Sequence, residues 1–231
     1  MPRALMLLVA LLLASPAQLV AADAPAEVAR MLYLVRHGHH STEPVADPVQ
    51  GPPLTPVGLD QAKLAAKRLR ESGYAIDKVL ASPMVRSQQT AQAIVDEVKG
   101  ARLVSLQDLT ECTPPMPPAL VTGLMSAAEL QACAEQFDRV YAAYFRPAEG
   151  AESAQVLVAH ANVIRYLVTR ALGMDARNWQ QFSISHGSVT TVRIAADGSI
   201  VVLGVGDIGH VPTRMRSGSI IDVDSGSRRH R

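Results

Sequence analysis

A single α/β domain on a mostly parallel sheet is the fold class this sequence predicts, and three observations predict it. The chain has 231 residues, 48% of them hydrophobic, enough for one sizeable core. Short aliphatic runs alternate with stretches of helical period, the pattern of βαβ units. Two of those runs, Met31–Val35 and Gln155–Ala159, stop abruptly at chemistry-bearing residues. Ligand-binding strands of open parallel sheets do this at their carboxyl ends.

In chain order, the first two dozen residues stand outside the fold. Arg3 is the only charge before Asp23; Leu5–Ala14 is apolar, Ser15–Pro16 breaks it, and Val20–Ala21–Ala22 supplies small residues at the exit. This pattern predicts a signal peptide over 1–22, cleaved after Ala22 or after Ala24, and a periplasmic or secreted protein. The alternative is an uncleaved membrane anchor, although the apolar core is only about half of the roughly 20 residues a span needs.

Met31–Val35 then reads as a buried strand closed by Arg36–His37–Gly38, with Gly38 freeing the backbone to turn close to a ligand. Residues 39–54 carry Pro44, Pro48, Pro52 and Pro53, whose fixed φ and missing donors predict a loop. Thr55–Pro56 reads as a helix cap and first helical residue. Leu59, Ala62, Ala66 and Leu69 follow at helical spacing, until Ser72–Gly73. Lys78–Ala81 is the second strand, closed by Ser82–Pro83. The helix after it, over 84–98, turns Ala91, Ile94, Val95 and Val98 inward.

A third apolar run over 102–109 leads to Thr110–Glu111, and 113–119 is a proline-rich loop. Ser126 caps a helix reaching about Phe145. The strand ending at His160 is followed by a helix from Ala161 to Leu172, stopped by Gly173. Val189–Ala195 and Ser199–Val205 flank Asp197–Gly198, a hairpin signal. The domain is expected over 23–213 and a polar, disordered tail over 214–231.

Composition excludes some functions. Aromatic residues are 4% of the chain, and 22 Lys+Arg face 21 Asp+Glu. A nucleic-acid partner therefore has neither stacking faces nor a basic surplus to support it. Cys112 and Cys133 would meet an oxidising compartment if exported; a disulfide and two separate thiols both remain open. Two cysteines without a paired spacing do not make a zinc site.

Arg36, His37, Arg86, Glu111 and His160 all follow predicted strands, and parallel strands share their carboxyl edge. Phosphoryl transfer suits such a set. Arg36 and Arg86 can grip equatorial oxygens bidentately. His37 can attack phosphorus if its other ring nitrogen donates to a backbone carbonyl. Glu111 can protonate the leaving alkoxide, and His160 can hold a phosphoryl oxygen. Asn162 can donate to phosphate or cap its helix. His39 and His40 line the pocket or sit on a wet loop. His186–Gly187 starts a strand, which places it at the wrong edge and reads as structural. Trp179 is expected to pack, and His210 has only a weak case for the site.

The segments LVRHG (34–38), LTPVGLDQA (54–62), ASPMVRSQQTA (81–91), the Glu111 stretch and VAHANVIRY (158–166) together resemble the histidine phosphatase superfamily, in its phosphoglycerate mutase-like branch. The resemblance covers about residues 30–212. It implies a three-layer α/β/α sandwich and a phosphohistidine on His37. It also implies phosphate-binding Arg36 and Arg86, proton donor Glu111, second histidine His160, and no metal or other cofactor. HANVIRYLVTRALG (160–173) and GVGDIGHVP (204–212) are similar to a protein serine/threonine phosphatase of that family.

The expected function is a metal-independent phosphomonoesterase acting on a phosphorylated small molecule or phosphoprotein, with oligomeric state left open. The alternatives are a phosphoglycerate mutase-type phosphotransferase and a non-catalytic phosphate-binding protein.

Overall fold

The computed structural model describes residues 29–45, 47–117, 125–150 and 153–219; the expected signal peptide over 1–22 lies outside them. Six strands form one sheet: β1 Arg30–Arg36, β2 Ile76–Ala81, β3 Arg102–Ser105, β4 Ser153–Ala159, β5 Val189–Ile194 and β6 Ile200–Asp207. Their order across the sheet is β3-β2-β4-β1-β5-β6. β1, β2, β3 and β4 run parallel, whereas β5 is antiparallel to β1, and β6 to β5. The carboxyl ends of β1, β2 and β4 therefore share one edge with the amino end of β5.

Helices α1 Pro56–Arg70, α2 Val85–Glu97, α3 Ala127–Tyr144 and α4 Ala161–Ala171 cover both faces. Successive strand residues point to opposite sides, so Met31, Tyr33 and Val35 pack with Ala65, Leu69 and Ile94 of α1 and α2. Leu32 and Leu34 pack with Phe137, Ile164 and Leu167 of α3 and α4. Both faces of β1 and β4 are dry, which is why these strands read as continuous apolar runs. The result is the three-layer sandwich.

Local chemistry sets the helix starts. Thr55 Oγ1 accepts from Gly58 N at 3.1 Å, and Pro56 occupies the first turn. Ser126 and Glu129 form a reciprocal capping box ahead of α3. Leu59, expected inward, is 41% exposed. The buried stripe of α1 is instead Gly58, Gln61, Ala62, Ala65, Ala66 and Leu69. The third apolar run is shorter as a strand than expected, because Gln107–Leu109 turns into a 3-10 helix that buries Leu109.

Cys112 and Cys133 form a disulfide, resolving the alternatives left open. The expectation of a disordered tail from 214 differs from what residues 213–219 do. Thr213–Met215 is a 3-10 turn, Ser217 O accepts from His186 N, and Gly218 O accepts from Arg36 Nη1. Their carbonyls satisfy donors that would otherwise be buried without a partner. The rest of the expected tail lies outside the described residues. Among the described residues, no helix is long and apolar enough to cross a membrane.

Candidate active site

β1 delivers Arg36 and His37 to the shared edge, and His37 N bonds to Ala159 O, locking the ends of β1 and β4 together. The His37 side chain is 3% exposed. Its Nδ1 lies 2.8 Å from Gly38 O. A carbonyl only accepts, so Nδ1 carries the proton and Nε2 presents a lone pair. Arg86 Nε donates to that Nε2 at 3.2 Å. Burial, then the positive fields of His160 and Arg36, hold His37 well below the ordinary imidazole value. The ring is neutral in the ligand-free site.

His160 caps α4 at the end of β4 and is fully buried. Arg86 Nη2 donates to its Nδ1 at 3.3 Å, so its Nε2–H donates to Ser82 Oγ at 2.9 Å. The rings of His37 and His160 are 4.9 Å apart, edge to face. Burial and Arg86 hold His160 well below its ordinary value. Its 3.5 Å approach to Glu111 Oε2 is therefore a polar contact and not an ion pair.

Glu111 Oε1 accepts from Asn162 N at 3.1 Å, and Asn162 Nδ2 donates to Cys112 O. Asn162 thus neither caps its helix with its side chain nor points freely into the cavity; it ties the Glu111 segment to α4. Gln136 on α3 donates to Asp108 O and Thr110 O, holding the same segment from the other side.

Arg36 Nη1 donates to Ile184 O at 2.6 Å and Gly218 O at 2.8 Å, and Nη2 to His186 Nε2 at 3.0 Å. Burial, then Arg165 and Arg86, lower its value to about 10, which leaves it charged at neutral pH. A cavity of about 430 Å³ is lined by Arg36, His37, His40, Arg86, Glu111, Asn162 and Arg165. A cleft of about 500 Å³ near Arg70, Tyr74 and Glu97 holds none of these groups.

The sequence reasoning misplaced His186. Its ring is 5.4 Å from that of His37. The expectation assumed that a residue before a strand lies at the far edge, but β5 runs antiparallel to β1, which brings its amino end to the site. His40 lines the cavity, whereas His39 bonds Thr55 Oγ1. Trp179 is buried and donates to Pro115 O. His210 bonds Gly187 O and lines a different cavity with Lys67 and Arg68. Arg165 was not singled out from sequence.

His37, His40 and His186 have potential ligand atoms within 4.8 Å of one another. A metal there would compete with Arg86 and Arg36, which already donate to Nε2 of His37 and of His186. Three guanidiniums and neutral imidazoles favour an anion over a cation in this cavity.

The family model of the histidine phosphatase superfamily (branch 1) matches residues 32–114 and 124–206. The chain belongs to the histidine phosphatase superfamily. It is a phosphatase that works through a histidine. A Drosophila grimshawi relative named serine/threonine-protein phosphatase Pgam5, mitochondrial, is 35% identical over 204 residues, which cover 83% of this chain and 68% of that protein. A Drosophila pseudoobscura pseudoobscura protein of the same name is 36% identical over 195 residues, 80% of this chain and 65% of that one. Among solved structures, the chain shares its fold with a Plasmodium falciparum phosphoglycerate mutase: TM-score 0.57, 22% identity, 80% of this chain and 96% of that chain.

These relatives correct one expectation. They are named mitochondrial, which overturns the periplasmic or secreted location inferred from the leader.

Proposed function

We propose that this histidine phosphatase hydrolyses phosphomonoesters in two steps with its own side chains, His37 Nε2 being the nucleophile. The observation that carries this reading is the His37 Nδ1–H bond to Gly38 O, which leaves a neutral Nε2 lone pair between Arg86 and His160. Arg36 and Arg86 turn their N–H groups onto the equatorial oxygens, and His160, once the bound dianion brings a proton to its Nδ1, donates to a third. Nε2 attacks phosphorus in line; the ester oxygen departs with a proton from Glu111. Water then attacks the phosphohistidine and gives a proton to the Glu111 carboxylate, and the N–P bond breaks to release phosphate and free His37.

The substrate class is a phosphorylated serine or threonine side chain. The support for it is the printed name of relatives that are 35% and 36% identical. The test is His37→Ala assayed with an aryl phosphate and a phosphoserine peptide, with folding checked by circular dichroism. A folded variant without turnover, and acid-quench trapping of a phosphoenzyme in the wild type alone, are expected. Retained turnover in His37→Ala overturns the assignment, and turnover of the aryl phosphate without the peptide overturns the protein substrate.

A further inference from the structure

Arg165 has no part in the reaction above, yet it stands in the same cavity as Arg36, Arg86 and Glu111. Its Nε donates to Phe182 O at 2.7 Å. Among the described residues no acceptor is hydrogen-bonded to its Nη atoms, and Arg36, Arg86 and Arg165 are absent from the ion pairs. Half-burying a cation without a counter-ion is unfavourable. Desolvation lowers the Arg165 value, and the Arg165 charge in turn helps to lower that of Arg36. This cluster of like charges is built for anions.

Charge decides how many. Among the described residues Glu111 is the only carboxyl lining the cavity, and it must be protonated to act as the acid. Three guanidiniums then face a phosphate dianion, which leaves one positive charge uncompensated. Position decides where it is. Arg165 follows Asn162 by three residues on α4, about 4.5 Å along the axis and on the same face. Asn162 N is the donor to Glu111, the group that meets the departing oxygen. Arg165 therefore flanks the leaving-group side.

We propose that Arg165 forms a second anion subsite, selecting phosphomonoesters whose alcohol portion carries a carboxylate close to the ester oxygen. The proposal rests on the hydrolytic reading above and narrows its substrate class. The carboxylate comes either from a small phosphorylated acid or from an acidic residue beside the phosphorylated one in a peptide.

The full chain is assayed with phenyl phosphate against 3-carboxyphenyl phosphate, and with phosphoserine peptides carrying Asp or Asn at the next position. Arg165→Gln and Arg165→Lys are compared with wild type. The ratio of the two kcat/KM values, divided by the same ratio in the variant, cancels differences in leaving-group acidity. Wild type is expected to prefer the carboxylated partner at least tenfold more than Arg165→Gln does, through KM, with Arg165→Lys between them. A shift on the aryl pair alone assigns small acids, a shift on the peptide pair alone assigns proteins, and either supports the subsite.

An equal loss on charged and uncharged esters overturns the subsite and makes Arg165 a third phosphoryl clamp. No preference in wild type overturns it even where both variants fail to fold. Binding of phenylphosphonate and 3-carboxyphenylphosphonate by calorimetry reads the subsite without turnover. If no ester is hydrolysed, the hydrolytic reading fails while the phosphonate pair still decides the subsite: a carboxylate preference lost in Arg165→Gln supports it, and equal affinities overturn it.

Discussion

A histidine that looks structural in the sequence holds the clamp. His186 Nε2 is the acceptor for Arg36 Nη2, while its Nδ1 contacts Ser217 Oγ. Since arginine only donates, the proton on this ring sits on Nδ1. His186 thus fixes one arm of the guanidinium fork, and the carbonyls of Ile184 and Gly218 fix the other. We expect His186→Ala to raise KM for an aryl phosphate about tenfold, the scale of one charged hydrogen bond, with a smaller change in kcat. The inhibition constant of inorganic phosphate should rise in parallel; an unchanged constant would mean that Arg36 is held without His186. Arg36, His37 and His160 were legible because each ends an aliphatic run. His186 was not, because edge assignment depends on strand direction: β5, reached through α4, runs antiparallel to β1, a direction that residue types do not encode.

At the level of elements, the Glu111 segment depends on a staple. Cys112, the next residue, is bonded to Cys133 on α3, 21 positions away. Closing a loop of that size contributes about 3 kcal/mol through the unfolded chain. Cys133→Ser should therefore lower stability in urea by about this amount, and it frees the segment carrying Glu111, the proposed proton donor. We expect kcat to fall more than KM, and dithiothreitol to reproduce the effect in the wild type; unchanged kcat in the reduced protein would show that Asn162 and Gln136 hold Glu111 alone. The close pass of the Gly38–His39 loop over the first turn of α1 is a second such dependence. A Cβ on Gly58 would lie inside van der Waals contact of the His39 backbone. Gly58→Ala is expected to cost about 1–3 kcal/mol, the usual range for overpacking, and to disturb the His37 loop; thermal melts and aryl phosphate turnover check both. Sequence placed these elements within a few residues because their caps and periods are local. The 213–219 strap is not legible in the sequence because its hold is mainly through backbone carbonyls, which every residue carries.

Across the molecule, the cost of assembling an anion site is sensitivity to acid. His37, His160 and His186 are 3%, 0% and 7% exposed. Each is held below the ordinary imidazole value, with burial the largest cause and nearby cations adding to it; His186 is lowered to about 2. Among the described residues, the faces around them offer Arg36, Arg86 and neighbouring histidines, with Glu111 the one carboxylate in contact. Below an unfolded-state value of about 6.5, the unfolded chain takes up protons that the folded chain refuses. The contribution of these rings is therefore complete above about pH 6.5 and is lost as pH falls toward their folded values. Each imidazole adds up to about 1.4 kcal/mol per pH unit to the slope. Urea midpoints should thus fall steeply from pH 6.5 to 5, and His186→Asn should make that fall shallower by about one proton. Inorganic phosphate, binding only the folded site, should raise the midpoint by mass action. A midpoint that stays flat from pH 7 to 5, or a slope unaltered in His186→Asn, would mean that the imidazoles at this edge are already charged and that the neutral nucleophile inferred for His37 does not exist.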